Sequence, residues 1–141
     1  MVTNYQANKS LNYDFGKTAY TPPTTWYIGV STTPILKDGT GYTEPTDSVY
    51  KRVAINNNKI DFTVATDGSL IISKDVIFDE STISWGLITH VFIANSLTGN
   101  DVCFYDELDN EEEILGELVK GKLVQSRSTL IFPSGELIIS N

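Results

Sequence analysis

The sequence predicts a mainly β protein, an antiparallel β-sandwich or small barrel with one short N-terminal helix. Short runs of β-branched and aromatic residues recur along the chain, and clusters of Gly, Pro, Asn and Asp separate them. Strands and turns at this spacing are typical of sandwiches and small barrels. A helical pattern of apolar residues occurs near the start of the chain, before the strand signals begin.

The length of the chain indicates one domain, and its net charge excludes nucleic acid as a partner. The chain has 141 residues, 40% hydrophobic and 20% charged, which suits one packed domain. We predict an N-terminal helix with an extended proline-containing arm over residues 1–23 and a single β-rich domain over residues 24–141. The formal net charge of −8 would repel nucleic acid. No apolar stretch suits a membrane-spanning helix and the first residues lack signal-peptide features, so we expect a soluble protein made in a cytoplasm.

The N-terminal helix is predicted from the spacing of three apolar residues. Ala7, Leu11 and Phe15 lie at positions i, i+4 and i+8, which places them on one helix face. An isolated helix of this length is marginal in water, so we expect this face to dock on the domain's own sheet or on another subunit. The candidate caps are Thr3 or Asn4 at the N-terminus and Gly16 beyond the C-terminus.

An extended connector, a strand and a shaped loop follow the helix. Pro22-Pro23 lies within Thr18–Thr25 and favours an extended backbone there. Trp26–Val30 alternates large apolar residues with others, which predicts a half-buried strand. The loop after it is rich in residues that fix or permit turns, so we expect it to hold one shape. Those residues are Pro34, Asp38, Gly39, Gly41 and Pro45.

Several later runs predict further strands, and two pairs of them predict hairpins. Trp85–Ala94 is nearly apolar on both faces, which predicts a central strand. A turn-forming segment joins it to Val102–Tyr105, and the two runs predict an antiparallel hairpin. Thr129–Phe132 and Glu136–Ile139 flank a Pro-Ser-Gly turn and predict a second hairpin. The remaining strand candidates are Val49–Ile55, Ser69–Ile72 and Val76–Phe78.

An acidic segment interrupts the strand pattern near the end of the chain. Seven carboxylates lie between Asp106 and Glu117, and we interpret the segment as a solvated loop. Calcium binding is the alternative, because hard oxygen ligands are abundant there. The alternation of Asp, Asn and Gly that shapes a calcium-binding EF-hand loop is missing, so we predict no metal site.

The sequence offers no constellation of catalytic or cofactor-binding residues. His90 is the only histidine and lies in the most apolar run, so we interpret it as structural rather than as a general base or metal ligand. Cys103 lies among apolar residues and is expected to be a buried, unreactive thiol. The glycine-rich patch 38–41 lacks the lysine of a phosphate-binding loop. We therefore predict no enzymatic activity, no cofactor and no catalytic, cofactor-binding or metal site.

Aromatic residues are concentrated in the first part of the chain and allow two interpretations. They can pack inside the fold, or they can be buried between subunits or against glycans of a cell surface. Tyr42, in the shaped loop, is the residue we single out for a glycan-binding alternative. The group consists of Tyr20, Trp26, Tyr27, Tyr42 and Tyr50.

Taken in order, several segments resemble a family of small bacteriophage virion structural proteins of the tail-fibre, head-fibre or capsid-decoration type. The likeness covers most of the chain and is interrupted between Asp106 and Ser128, where this chain is longer and more acidic. The segments are Asn4–Leu11, Phe15–Pro23, Tyr27–Pro34, Asp38–Pro45, Tyr50–Ala54, Trp85–Val91 and Leu97–Gly99.

The resemblance implies a non-enzymatic virion component that assembles by contacts with other capsid or tail proteins. It implies synthesis in the host cytoplasm, location in the virion and a homo-oligomer, with a trimer suggested by analogy to fibres. The family carries no catalytic residues to transfer. We expect the helix and arm to attach the subunit or lock subunits together, so that deleting residues before Thr24 leaves a folded β core that no longer joins the particle.

Overall fold

The computed structural model describes residues 1–114, 118–119, 122–123 and 129–140, with side chains described for residues 1–109 and 129–140. It confirms a mainly β protein with one N-terminal helix and antiparallel strand pairs. No helix of the described residues is long and apolar enough to cross a membrane. In chain order the elements are α1 (Asn4–Asp14), β1 (Thr25–Ser31), β2 (Val53–Asn56), β3 (Ser69–Ile71), β4 (Val76–Ile77), β5 (Gly86–Ala94), β6 (Val102–Ile114), β7 (Leu118–Val119), β8 (Lys122–Leu123), β9 (Ile131–Phe132) and β10 (Ile138–Ser140).

The largest sheet contains four antiparallel strands in the order β2–β1–β5–β6. β5 lies inside this sheet, as its apolar run predicts, and forms the predicted hairpin with β6. The register pairs Ile28 with Ile93 and Val30 with Val91. Directly paired residues share a face of the sheet, and all four side chains are buried in the main core.

Two small strand pairs, β3–β10 and β4–β9, form the second layer of the sandwich. Residues in and beside them complete the main core against the large sheet, and each fully buried Phe or Ile contributes about 1.5–3 kcal/mol through its burial. The buried residues from this layer are Ile72, Val76, Phe78, Leu130 and Phe132.

The predicted hairpin between Thr129–Phe132 and Glu136–Ile139 is wrong. A turn does form there, since the N–H of Glu136 donates to the carbonyl of Pro133 at 3.0 Å. The strands on its two sides pair with different partners, because β9 pairs with β4 and β10 pairs with β3. The turn therefore carries the chain from one strand pair of the second layer to the other.

The opposite face of the large sheet is also covered. Phe92 of β5 is fully buried there, against Ile35 and Tyr42 of the loop after β1. Gly29 of β1 lies opposite Phe92 in the register, and a Cβ added to Gly29 would lie 2.3 Å from Cζ of the Phe92 ring. The glycine in β1 is therefore required for the close approach of this ring.

The acidic segment is a strand over its described part, which corrects the interpretation as a loop. β6 extends without interruption from Val102 to Ile114 and pairs with β5, apart from register shifts. Asp106, Glu107 and Asp109 are exposed, so water can solvate these carboxylates while Asp106 and Glu107 stay paired with β5. Charge composition alone misled the prediction, because an exposed strand face tolerates acidic side chains. Residues 115–117 lie outside the described residues.

Helix α1 begins and ends at the predicted caps but does not dock through the predicted stripe. The Thr3 hydroxyl accepts from the N–H of Gln6, and Gly16 has a φ of 69° beyond the last turn. Gln6 is the buried residue of the helix, whereas Leu11 and Phe15 of the predicted stripe are exposed. Of the two predicted docking surfaces, the domain's own sheet does not cover Leu11 and Phe15, and docking on another subunit stays a prediction.

Residues before α1 hold it against the edge of β6. The N–H of Thr3 donates to the carbonyl of Cys103 at 2.9 Å, and its hydroxyl donates to the carbonyl of Val102 at 2.7 Å. The N–H of Tyr105 donates to the carbonyl of Met1 at 2.9 Å. The division into residues 1–23 and 24–141 stays a prediction, although these bonds tie the start of the first segment to the second.

Candidate functional site

Two regions stand out as candidates: the loop between β1 and β2, and the end of helix α1. The loop owes its shape to side chains that bond to nearby backbone. The Ser31 hydroxyl donates to the carbonyl of Thr33 at 2.7 Å and accepts from the N–H of Thr43 at 2.9 Å. Gly41 has a φ of 91°, and a Cβ there would lie 2.8 Å from the carbonyl oxygen of Pro34. The loop thus adopts one compact shape, as its turn residues predict.

Asp38 stabilises the tip of this loop. Its Oδ1 accepts from the N–H of Thr40 at 3.0 Å and from the Thr40 hydroxyl at 2.6 Å. These bonds to the ionised form lower the pKa of the Asp38 carboxyl. The glycine-rich patch therefore bonds to itself, which accounts for its composition without a phosphate ligand.

A buried ion pair between Arg52 and Glu44 fastens the far end of the loop. Arg52 Nε and Nη2 donate to the two carboxylate oxygens of Glu44 at 2.9 and 3.1 Å. Two further guanidinium N–H groups, on Nη1 and Nη2, donate to the carbonyls of Ser96 and Gly99 at 2.9 and 2.8 Å. Burial lowers the pKa of Arg52, but the bonds to Glu44 outweigh it and raise the pKa overall. Arg52 thereby joins the loop to the β5–β6 turn.

Tyr50 extends this cluster into the core. Its hydroxyl donates to Glu44 at 2.8 Å and accepts from the N–H of Val30 at 3.2 Å. Burial, together with the negative charge of Glu44, raises the pKa of the Tyr50 hydroxyl. The ring stacks on Phe78 and makes an edge contact with Trp85, so Tyr50 is an internal structural residue.

Asp47 is a second buried charge, and it fastens the loop before β5. Its carboxylate accepts from the N–H and hydroxyl of Thr82 at 2.7 and 2.6 Å, and from the indole N–H of Trp85 at 3.0 Å. Burial would raise the pKa of Asp47, but these bonds lower it well below its usual range. Sequence reasoning missed Asp47 and the Glu44–Arg52 pair, because no local spacing marks partners that meet through folding.

His90 and Cys103, the two residues considered for catalysis, form no side-chain bond with the Arg52 or Asp47 clusters in the described part of the chain. His90 is half-buried in β5, paired across strands with Ser31 and Glu107, and its Nδ1 is 2.7 Å from the Thr89 hydroxyl. Cys103 is fully buried, and burial raises the pKa of its thiol to about 11. A protonated thiol is a poor nucleophile. Within the described ranges, no cluster of His, Cys, Asp and Glu could hold a metal ion.

Most of the aromatic group packs inside the fold. Trp26 makes an edge contact with Phe104, and Tyr42 lies against Phe92 with ring centroids 5.2 Å apart. The Tyr42 hydroxyl bonds to the side-chain oxygen of Asn100 and to a backbone carbonyl. With its ring and its hydroxyl both engaged, Tyr42 is not the free aromatic surface that the glycan-binding alternative needs. Tyr20 and Tyr27 are half-buried.

The end of α1 shows the opposite arrangement, with large apolar side chains in water. Leu11, Tyr13 and Phe15 are 55%, 57% and 73% exposed. Leu11 and Phe15 lie on one side of the helix axis and Tyr13 on the other, because residues four apart differ by about 40° and residues two apart by about 200°. Backbone bonds from Gly16 to Tyr13 and from Lys17 to Asn12 close the end in a Schellman motif. The helix end is therefore ordered, and it exposes three large apolar side chains that alternate with the polar residues Asn12 and Asp14.

Comparison with known protein families finds a match over nearly the whole chain. The model of a family described as Gp80, podophage GP4 fiber I protein gp80, matches residues 1–140. No curated protein matches the chain.

Proposed function

The chain belongs to the Gp80 family of podophage fibre proteins, and we propose that it is a non-enzymatic building block of the virion that works through protein contacts. The family supports a structural component of a phage fibre. The proposal adds that the subunit joins other capsid or tail proteins, as a head fibre, a capsid-decoration protein or a tail fibre. It also adds synthesis in the host cytoplasm and assembly as a homo-oligomer, for which a trimer is one closed form.

The exposed end of α1 is the observation that carries the proposal. Leu and Phe are among the residues most often buried in folded proteins, yet Leu11, Tyr13 and Phe15 all face water in the single chain. Their exposure would be removed by a partner that encloses this last turn. We propose that the helix end and the arm up to Pro23 attach the subunit to its neighbours in the virion.

Glycan binding through Tyr42 is not part of the proposal. The ring of Tyr42 contacts Phe92, and its hydroxyl is bonded to Asn100. Replacing Tyr42 by alanine would remove these internal contacts, so a loss of glycan binding in that variant would not identify a binding site.

Incorporation into particles tests the proposed contact. Point substitutions test it more specifically than a truncation does. Deleting residues 1–23 would also remove the bonds from Met1 and Thr3 to β6. We therefore combine Leu11→Asp with Phe15→Asp in the full chain and supply it to a phage that lacks the wild-type protein. Loss of the variant from purified particles, with an unchanged melting temperature, is expected.

A matched control separates apolar contact from added charge. Asn12→Asp places a carboxylate on the same turn at an exposed, non-apolar position, and this variant should still enter particles. Normal incorporation of the Leu11→Asp, Phe15→Asp chain would show that the helix end is not the attachment surface.

A further inference from the structure

The connection between β2 and β3 carries the two most exposed large apolar side chains that the structure describes. Ile60 and Val64 are 83% and 88% exposed. We call residues 59–64 the tip. A second surface that covers the tip would remove this apolar area from water, which is favourable.

The tip is held in a fixed shape. Asn58 Oδ1 accepts from the N–H groups of Ile60 and Asp61, both at 2.8 Å. Ser73 holds the other side, because its N–H donates to the carbonyl of Asp61 at 2.7 Å and its hydroxyl donates to the carbonyl of Ile60 at 3.1 Å. These bonds fix the backbone that presents Ile60, and a preorganised surface loses little entropy on binding.

Two lysines flank the exposed isoleucine. Lys59 precedes Ile60 in the chain, and the bonds to Ser73 bring Lys74 beside the tip. Both lysines are exposed, and neither forms an ion pair with another residue of the described part of the chain. The tip therefore presents an apolar side chain near two positive charges, while its one carboxylate, Asp61, is half-buried and accepts from the side-chain amide of Asn58 at 2.9 Å.

A cleft elsewhere on the chain has the complementary chemistry. It occupies about 220 Å³ between β6 and the residues around β10, which exceeds the roughly 150 Å³ of a cavity that admits benzene. Its described lining contains neither Lys nor Arg. The apolar lining residues are Val91, Leu108, Phe132, Leu137 and Ile138, and the acidic ones are Asp106, Glu107, Asp109 and Glu136.

We infer that the tip of one copy of this chain inserts into the cleft of a second copy. This inference rests on the proposed function and identifies a second copy of the chain as one of the binding partners. Ile60 would lie on the apolar lining, and Lys59 and Lys74 would face the carboxylates. Two copies that each carry a net charge of −8 repel one another on average, so they associate best where a local cation meets a local anion. Because tip and cleft are different surfaces, the contact closes either reciprocally in a dimer or around a ring.

The mass of the purified full chain in solution, measured by light scattering over a wide concentration range, tests this contact. The wild-type chain should associate, and Ile60→Asp should weaken association about tenfold or more, because it places a carboxylate among carboxylates on an apolar surface. Ile83→Asp is the control, since Ile83 is exposed outside the tip and the cleft, and it should associate like wild type. An equal mass profile for Ile60→Asp and wild type would overturn the inference.

A charge exchange tests whether tip and cleft meet. Lys59→Glu combined with Lys74→Glu should weaken association about tenfold. Adding Asp109→Lys and Glu136→Lys to the same chain reverses both signs and should restore most of the lost affinity. If association does not recover in the exchanged chain while its melting temperature stays near that of wild type, the two surfaces do not meet.

The outcomes separate this inference from the proposed function. A wild-type chain that is monomeric at every concentration, yet enters particles through the end of α1, overturns the tip contact and leaves the proposed function standing. If the Ile60→Asp variant has the same mass in solution as wild type but fails to enter particles, the tip binds another virion protein. This result also overturns the inference. A wild-type chain that associates but never appears in purified particles contradicts the proposed function instead.

Discussion

The loop around Arg52 buries charged side chains, whereas the end of α1 exposes apolar ones. In the loop, the charges of Arg52 and Asp47 lie inside the protein and are bonded to several partners. At the helix end, Leu11 and Phe15 lie in water. Buried charges with satisfied bonds stabilise the single chain, whereas we propose that the uncovered apolar side chains at the helix end contact another chain. Substitutions in the loop should therefore change stability, and substitutions at the helix end should change assembly.

The largest expected effect is that of Arg52→Ala. It leaves Glu44 partly buried without its cation and frees the carbonyls of Ser96 and Gly99. Breaking one side of a buried pair costs about 3–5 kcal/mol, which urea unfolding would measure. Lys51→Ala is the matched control, because its ion pair with Asp79 is exposed and should contribute less than about 1 kcal/mol. Equal losses for the two variants would contradict the distinction between buried and exposed charge.

Asp47→Asn should produce the next largest effect. An amide has one acceptor oxygen and cannot take all the bonds from Thr82 and Trp85. We expect the melting temperature at neutral pH to fall by about 5–10 °C. Thermal unfolding followed by circular dichroism provides the measurement.

The same residue predicts a pH dependence with a defined sign. Folding lowers the pKa of Asp47, so its stabilising effect is complete above its unfolded pKa of about 3.9 and is lost as the pH falls towards the folded value. The difference in melting temperature between wild type and Asp47→Asn should therefore shrink below about pH 4. If the difference in melting temperature stays constant from neutral to acid pH, the stabilisation by Asp47 does not depend on its negative charge.

Tyr42→Phe should have a smaller effect. It keeps the ring on Phe92 but removes the hydroxyl that bonds to Asn100. A single hydrogen bond of this kind contributes about 0.5–1.5 kcal/mol, measurable by urea unfolding. A stability equal to that of wild type would show that water replaces the tyrosine hydroxyl without cost.

The smallest effect on stability is expected at the helix end. Leu11→Ser with Phe15→Ser removes exposed apolar groups that contact little of the chain, so the free energy of unfolding should change by about 0.5 kcal/mol or less. The same urea experiment measures it. A loss as large as that of Arg52→Ala would mean that these side chains stabilise the single chain.

Sequence reasoning succeeded for local structure. The β5–β6 hairpin follows from two apolar runs around one turn, and the helix bounds follow from Thr3 and Gly16, whose roles depend on neighbours within a few residues. It failed where pairing is distant: β9 pairs with β4, which a local turn signal cannot indicate. Charge also misled it, because Asp106, Glu107 and Asp109 are exposed on a strand rather than in a loop.

The candidate site was harder to predict than the fold. The apolar spacing of Leu11 and Phe15 correctly marks one face of a helix, but spacing does not say whether that face is covered by the same chain or by another. Glu44, Asp47 and Arg52 carry no signal of burial, since charged residues are normally exposed. Their partners, such as Thr82 and Gly99, are far away in the chain.

An image reconstruction of the intact particle tests the central claim most directly. We predict that the last turn of α1, with Leu11, Tyr13 and Phe15, is enclosed by a neighbouring protein, while the Arg52 loop keeps its internal bonds. A reconstruction in which these three side chains remain in solvent on every copy of the subunit would contradict the account.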